Sequence, residues 1–478
     1  MSIVWFVRDY NVWFVRTEME IGKSNQNLLK KCSEYFNQGK VISLGTGLPS
    51  LLPFVLNGSH DSIFLSSSGL VGDWRASTAT TKYIDSNGQY VTLMPGSSIV
   101  GIGEKASIIS GGYVDTILIQ PTEVDLQGNW DIDGPDTSEI DSLVTNCSQV
   151  IGLVPLNGLQ KFTYQLDPSR GFERLSKIIT ERCVFGVDGG KLVVEELANG
   201  TTSDDIMNAI GINVPISPNC QYYDVYKVGT SSADMIGSKV CKDGASAVVD
   251  IQDGAVVMID GFAGPGGMAH YLLVSLRNQG AKNLTIISNT AGIARVVNFG
   301  TPPGKLVIDH SILIDNGQVG KAIASYPVSP SASNPSSFEL AYRAGEVDLE
   351  LVPQGTLAER LRAGGSGVKY FYTPTGAGTL IAEGKDSKSF EGKNHIRESG
   401  LVADYCIIRG YKADRFGNVV YKGTSRNFNA VMAPAARISI VEVDEIVEDD
   451  ALDPELIVTP GLFVDRIVVR PAEFSPYE

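Results

Sequence analysis

Two widely separated segments carry the same local pattern, and a chain that repeats one instruction in each half is constrained to fold as two similar units. In the first, Asp115 precedes the apolar run Thr116-Ile117-Leu118-Ile119, followed by Val124-Asp125-Leu126-Gln127-Gly128-Asn129. In the second, Asp404 precedes Tyr405-Cys406-Ile407-Ile408, followed by Ala413-Asp414-Arg415-Phe416-Gly417-Asn418. The step from the leading Asp to the closing Asn is 14 residues in both. Each segment reads as a buried strand running into a tight turn, because Asp supplies a side-chain hydrogen bond to the turn backbone and Gly-Asn supplies the positive φ. Earlier in each half lies a second matched element, Val41-Ile42-Ser43-Leu44-Gly45-Thr46-Gly47 and Val256-Val257-Met258-Ile259-Asp260-Gly261. Both are short apolar strands entering glycine-rich turns, and the residues after each turn can begin a helix. Strand, glycine turn and helix make an α/β unit whose helix N-terminus can hold an anion, although such turns serve plain strand-to-helix packing as readily.

With 478 residues the chain has room for two full cores. Val- and Ile-rich strands such as Leu284-Thr285-Ile286-Ile287, alternating with helical stretches, predict an α/β fold of two similar, mostly parallel-sheet domains. The expected division is an extension over 1–20, a first domain over 21–225 and a second over 240–478, joined between about Ser217 and Asp243, where Ser, Gly and Asp accumulate. The acidic run from Glu442 to Asp453 reads as a solvated edge strand, and Ser329 to Ser337 as a loop. In the extension, Val4-Trp5-Phe6-Val7-Arg8 recurs as Val12-Trp13-Phe14-Val15-Arg16, which fits an amphipathic or strand-like segment and neither a signal nor a transit peptide.

A formal net charge of −15, with no long Lys/Arg block, opposes nucleic acid as a partner, and any anionic ligand would need local donors such as backbone amides and helix N-termini. No apolar run reaches the ~18 residues needed to span a bilayer. The six cysteines lack C-x-x-C spacing and read as reduced, mostly buried thiols; the four histidines form no H-E-x-x-H pair, so no metal site is expected.

Ser288-Asn289-Thr290-Ala291-Gly292, Glu350-Leu351-Val352-Pro353-Gln354-Gly355-Thr356-Leu357-Ala358-Glu359-Arg360, Phe371-Tyr372-Thr373-Pro374-Thr375-Gly376 and Lys412-Ala413-Asp414-Arg415-Phe416-Gly417-Asn418 form a set of motifs in the second half. By these motifs the chain resembles, from about residue 243 to 470, the α subunit of class I CoA transferases. The first half is similar, more loosely, to the β subunit, through Leu44-Gly45-Thr46-Gly47-Leu48-Pro49, Met94-Pro95-Gly96-Ser97-Ser98 and Gly111-Gly112-Tyr113-Val114-Asp115. The chain thus looks like a β–α fusion, the reverse of the order usual in fused members, and most resembles the succinyl-CoA:3-ketoacid branch of the family. The resemblance implies CoA transfer between a dicarboxylyl-CoA and a 3-oxo acid, with the CoA thioester as substrate and no further cofactor. It also implies an acyl-CoA and a carboxylic acid as partners, a homo-oligomer, and a cytoplasmic location with the mitochondrion as alternative.

In the family a glutamate within Ser-Glu-Asn-Gly attacks the acyl-CoA, and this motif aligns on Ser66-Ser67-Ser68-Gly69, so Ser67 stands where the nucleophile would be. Gln354 matches the family glutamine that helps bind the thioester oxygen, and Gly264, Gly266 and Asn289 match positions of the thioester site. The stretch from Asp131 to Leu156 has no counterpart of the β subunit's Gly-Met-Gly-Gly-Ala-Met. A serine ester would lie below an anhydride and trap the acyl group, and a serine nucleophile would need a base, for which His60 is the candidate in reach along the sequence. Three readings stay open: CoA transfer with a displaced carboxylate, Glu104; hydrolysis or decarboxylation of an acyl-CoA without an acyl-enzyme; and a non-catalytic acyl-CoA-binding protein. Asn427 and Asn429 read as structural residues of their loop.

Overall fold

The computed structural model describes residues 21–477 except 37–38, 59, 78–81, 133–136, 157–160, 167–171, 174, 225–237, 261–266 and 298–301. The 1–20 extension, Gly264 and Gly266 therefore lie outside the described residues. The first half builds a ten-stranded sheet from β1 (Val41–Leu44), β2 (Ile63–Ser66), β3 (Leu70–Gly72), β4 (Ser98–Ile99), β5 (Thr116–Ile119), β6 (Gln149–Leu153), β7 (Lys177–Ile179), β8 (Cys183–Asp188), β9 (Lys191–Ala198) and β10 (Ile216–Tyr223). The second half builds a seven-stranded sheet from β11 (Val256–Ile259), β12 (Leu284–Thr290), β13 (Val319–Tyr326), β14 (Asp348–Leu351), β15 (Ala403–Arg409), β16 (Ala436–Val443) and β17 (Arg466–Val469). The spatial order β7-β6-β5-β1-β2 in the first sheet recurs as β17-β16-β15-β11-β12 in the second, parallel throughout.

The two halves repeat their hydrogen bonds as well as their strand order. Asp115 accepts from the Val41 amide at 2.9 Å, as Asp404 does from Val256 at 2.9 Å, so each leading Asp ties the start of its strand to the central strand beside it. Asp125 accepts from the Gln127 and Asn129 amides and the Asn129 side chain, and Asp414 accepts in the same way from Phe416, Asn418 and the Asn418 side chain, all at 2.8–3.0 Å. The intervening glycines, Gly128 and Gly417, adopt φ of 81° and 96°, which the turn requires.

The sheets diverge at their edges. Beyond β12 the second sheet continues in parallel through β13 and β14, whereas beyond β2 the first turns antiparallel through β3 and β4, and beyond β7 through β8 and β9. The connection from β2 to β3 is a tight turn, which only an antiparallel pair can use; β12 to β13 has the long crossover that a parallel pair needs. The acidic run departs from a solvated edge at its first residue, while Asp444, Glu445, Glu448 and Asp450 are exposed and Glu445–Ile446 forms the edge strand of a separate three-stranded sheet. Glu442 lies on β16, between β15 and β17, with 0% exposure, and accepts from the Leu272 amide at 3.1 Å and from Arg470. Its charge is tolerated because a guanidinium and an amide share the burial. Residues 216–223 also differ from the expected join, since they pair with β9 as a strand. Among the described residues none of the six cysteines is in a disulfide, and burial pushes the Cys183 and Cys406 thiols up to about 12, which leaves them unreactive.

Three helices position the site and the seam behind it: α1 (Ile102–Ser110), α2 (His270–Gln279) and α3 (Gln354–Gly365). The halves meet along a glycine-lined seam. Ser107 on α1 bonds Ser366, just past α3, at 2.7 Å; Tyr113 donates to the Pro434 carbonyl at 2.6 Å; and the Asn418 side chain donates to the Gly96 carbonyl at 2.8 Å. A Cβ on Gly96 would sit 2.6 Å from the Phe416 ring, and one on Gly367 would sit 2.1 Å from the Ser110 carbonyl. One hydrophobic cluster runs through both halves, including Ile108 and Val114 with Leu361, Phe463 and Val464.

Helix α3 is held to β14 by an ion pair. Burial alone would raise the Glu350 carboxyl, but bonds from Arg360 at 2.7 Å and Lys321 at 3.0 Å hold it below the usual carboxylate range. A depressed carboxyl adds stability that is present above its unfolded value, near 4.5, and is lost as pH falls through the folded one. Glu350→Gln is expected to cost about 1 kcal/mol at pH 7, a figure reduced for the pair's partial exposure. The gap to the parent protein should narrow as pH falls below about 4.5 in urea-unfolding midpoints.

Candidate active site

At the carboxyl end of β12, successive side chains point to opposite faces. Ser288 meets the ring of His310 on one side, Oγ to Nε2 at 3.0 Å, with both residues 0% exposed. Asn289 meets Gln354 on the other, the Gln354 Nε2 donating to Asn289 Oδ1 at 2.8 Å. Burial lowers the pKa of His310, the ring that backs Ser288, opposed by the charge of Asp309. Gln354 is the first residue of α3, and Pro353 before it has φ −57° and ψ 141°, an extended entry that Pro favours. Among the described residues no side chain caps this end or accepts from the first-turn amides of α3. Thr356 Oγ1, in the same turn, is buried without a partner among the described residues, and space beside Gly355 is open. A carboxamide with one N–H committed to Asn289 keeps a second N–H to donate. Together with the helix N-terminus it can stabilise an oxygen on which negative charge develops.

Ser67 occupies the equivalent point of the first half. Val41 aligns with Ile63 as Val256 does with Thr285, so Ser66 corresponds to Ser288 and Ser67 to Asn289. Its turn closes through Gly69 at φ +89°, where a Cβ would meet the Val100 carbonyl at 2.5 Å. The Ser67 amide donates to Ser86 Oγ at 3.0 Å, and its carbonyl accepts from Lys105 Nζ at 2.7 Å. Lys105 is 3% exposed. Sequence reasoning missed it, although a lysine in line with Ile108 and Ile109 on the buried face of α1 was the available signal.

Glu104, the residue before Lys105, is exposed in the first turn of α1, with its carboxylate folded back over Gly101. His60 is not a base for Ser67. It lies at the other end of β2, 3.6 Å from Asp73, beside a cavity of about 50 Å³ that Lys239 and Asn418 of the second half also line. Asn429 is structural, accepting from the Arg409 amide at 2.8 Å and donating to Asp260 at 2.7 Å. No direct hydrogen bond joins Ser67 to Gln354 among the described residues.

Comparison with known proteins bears on the half that carries Asn289 and Gln354. The family model described as Coenzyme A transferase matches residues 242–470. One subunit of a 3-oxoadipate CoA-transferase from Pseudomonas putida is 44% identical over 224 residues, covering 47% of this chain and 90% of that subunit. One subunit of a probable succinyl-CoA:3-ketoacid coenzyme A transferase from Bacillus subtilis is 42% identical over 231 residues, covering 48% and 90%. The mitochondrial succinyl-CoA:3-ketoacid coenzyme A transferase 2A of Mus musculus is 39% identical over 247 residues, covering 48% of this chain and 44% of the mouse protein.

Proposed function

The chain belongs to the coenzyme A transferase family, and we propose that it moves CoA from an acyl-CoA to a carboxylic acid, with succinyl-CoA and a 3-oxo acid as the substrate pair. The observation that carries this reading is the Asn289–Gln354 pair at the uncapped N-terminus of α3, at the carboxyl ends of parallel strands where α/β sheets bind ligands. A thioester oxygen bonded there gains most when it becomes an oxyanion, so the pair favours the transition state over the bound ground state. Gly264 and Gly266 belong to the same proposed site by their place in the sequence after β11. The thioester is itself the source of CoA, and acyl displacement calls for no redox group.

In this reading residues 21–225 form a β-like half, 240–478 an α-like half, and two copies of the chain associate. The relatives are subunits of larger enzymes in two cases and mitochondrial in one. Among the described residues no helix is long and apolar enough to cross a membrane. We place the protein in the cytoplasm, with the mitochondrion as the alternative.

The test is to incubate the full chain with acetoacetyl-CoA and succinate and to follow thioesters by mass spectrometry. Succinyl-CoA is expected. Ser67 gives a hydrolase or decarboxylase its one specific support, because the family's carboxylate is missing there; free CoA without succinyl-CoA would establish hydrolysis instead, and loss of carbon dioxide from the acyl group would establish decarboxylation.

A further inference from the structure

We infer that the outer face of the small sheet formed by Tyr370–Thr373, Ser387–Phe390 and Lys393–Ser399 docks on the acidic run of a second copy of the chain; this deepens the reading above that two copies associate and rests on it. The central strand, Lys393–Ser399, pairs antiparallel with both others, setting Tyr372 opposite Arg397 and Phe390 opposite Lys393. Residues opposite one another share a face, so Tyr370, Tyr372, Lys388, Phe390, Lys393 and Arg397 stand on one side. Ile396 and Glu398 alternate to the other, 1% and 2% exposed, and Arg360 of α3 donates to the Ser399 carbonyl at 2.9 Å, which fixes the sheet to the body. The outward rings are left in solvent, Tyr370 50%, Tyr372 41% and Phe390 39% exposed. They are held in place by one another and by cations. Tyr372 and Phe390 meet edge to face with centroids 5.5 Å apart, Arg397 lies 4.5 Å from the centre of the Tyr370 ring, and Lys388 Nζ lies 5.2 Å from that of Phe390. Ordered aromatics on an exposed face offer contact area at small entropic cost, and such faces mark interaction sites.

Charge selects the occupant. The face carries Lys388, Lys393 and Arg397, and none of the strand positions on it is acidic. Arg397 pairs with Asp386 at 2.7 Å, whereas Lys388 and Lys393 have no ion-pair partner among the described residues. Two copies meeting face to face about a two-fold axis would set these cations against one another, so the face does not fit itself. The acidic run is its complement. Asp444, Glu445 and Asp449 are already paired within the chain, with Arg409, Lys412 and Arg415. Glu448, Asp450 and Asp453 are exposed and without an ion-pair partner among the described residues, and Leu456 close by is 65% exposed. These open carboxylates and their apolar neighbour match the cations and the solvent-facing rings. Each copy carries both surfaces, so a two-fold axis makes the contact twice and closes the assembly at two chains. A chain of net charge −15 is otherwise repelled by its own copy, and the pairing of these two patches offsets that repulsion locally.

Sedimentation of the full chain over a range of micromolar concentrations tests this, with the charges of the two patches exchanged. The parent chain is expected to dimerise. Lys388→Glu with Lys393→Glu should weaken association by about 100-fold or more, because like charges then face each other across both contacts. Glu448→Lys with Asp450→Lys should weaken it to a similar degree. The chain carrying both sets of changes should dimerise again, since each pair is restored with its signs exchanged, and that recovery also shows that the reversed chains fold. Dimers that neither reversal weakens would overturn the inference and leave the reading that two copies associate standing. A parent chain that stays monomeric would overturn both. Dissociation by each reversal without recovery in the combined chain would overturn the assignment of the acidic run as the docking partner.

Discussion

Gln354→Ala is expected to lower kcat for CoA transfer by about 100- to 1,000-fold, roughly 3–4 kcal/mol, the usual cost of losing one oxyanion donor. The size follows from where Gln354 sits. It opens α3, its carboxamide is oriented by Asn289 at 2.8 Å, and among the described residues nothing else engages its second N–H. Stability should hardly move, since the substitution removes one partly exposed hydrogen bond worth about 1 kcal/mol or less. The measurement is steady-state kinetics paired with urea unfolding. If kcat falls while the unfolding midpoint is unchanged, the residue acts on the reacting oxygen. A fall in both would make it part of the scaffold.

The second large effect is structural. Gly367→Val is expected to destabilise the protein by about 3 kcal/mol or more, from two costs that can be separated. Gly367 has φ +68°, a conformation that costs a residue with a Cβ about 1–2 kcal/mol, and its Cβ would lie 2.1 Å from the Ser110 carbonyl. That oxygen is backbone at the end of α1, so it cannot swing aside; the seam between the halves must open, and with it the support for Lys105. Gly345→Ala is the control. Gly345 has φ +76° with nothing within 4 Å of a built Cβ, so it should show the backbone cost alone. Urea midpoints for the two variants give the difference, and Gly367→Val should also lose transfer activity. Equal midpoints would show that the seam yields freely.

What could be read from the sequence was local. The turns at Asp125 and Asp414 are specified by hydrogen bonds spanning only 2 and 4 residues, which is why the duplication and its central strands were legible in the order of residues alone. Edges were not, because nothing in Leu70-Val71-Gly72 says that β3 folds back while β13 crosses over; that depends on connection length and on what covers each face. Glu442 misled for a related reason. Its acidity pointed outward, and the guanidinium that neutralises it, Arg470, lies on a segment 28 residues away. In the site, Asn289 and Gln354 were singled out by their motifs, but their contact across 65 residues exists only once β12 and α3 are placed. Lys105 reaches Ser67 across 38 residues from a different element, and no motif announced it.

The claim on which the rest depends is that Gln354 holds the thioester oxygen, and the ¹³C resonance of acetyl-CoA labelled at its carbonyl reports that bond directly. A hydrogen bond polarises the carbonyl, so on binding to the parent protein the signal should move to higher frequency, and on binding to Gln354→Ala it should stay near its position in free acetyl-CoA. The same shift in both proteins, with both saturated by ligand, would contradict that role for Gln354.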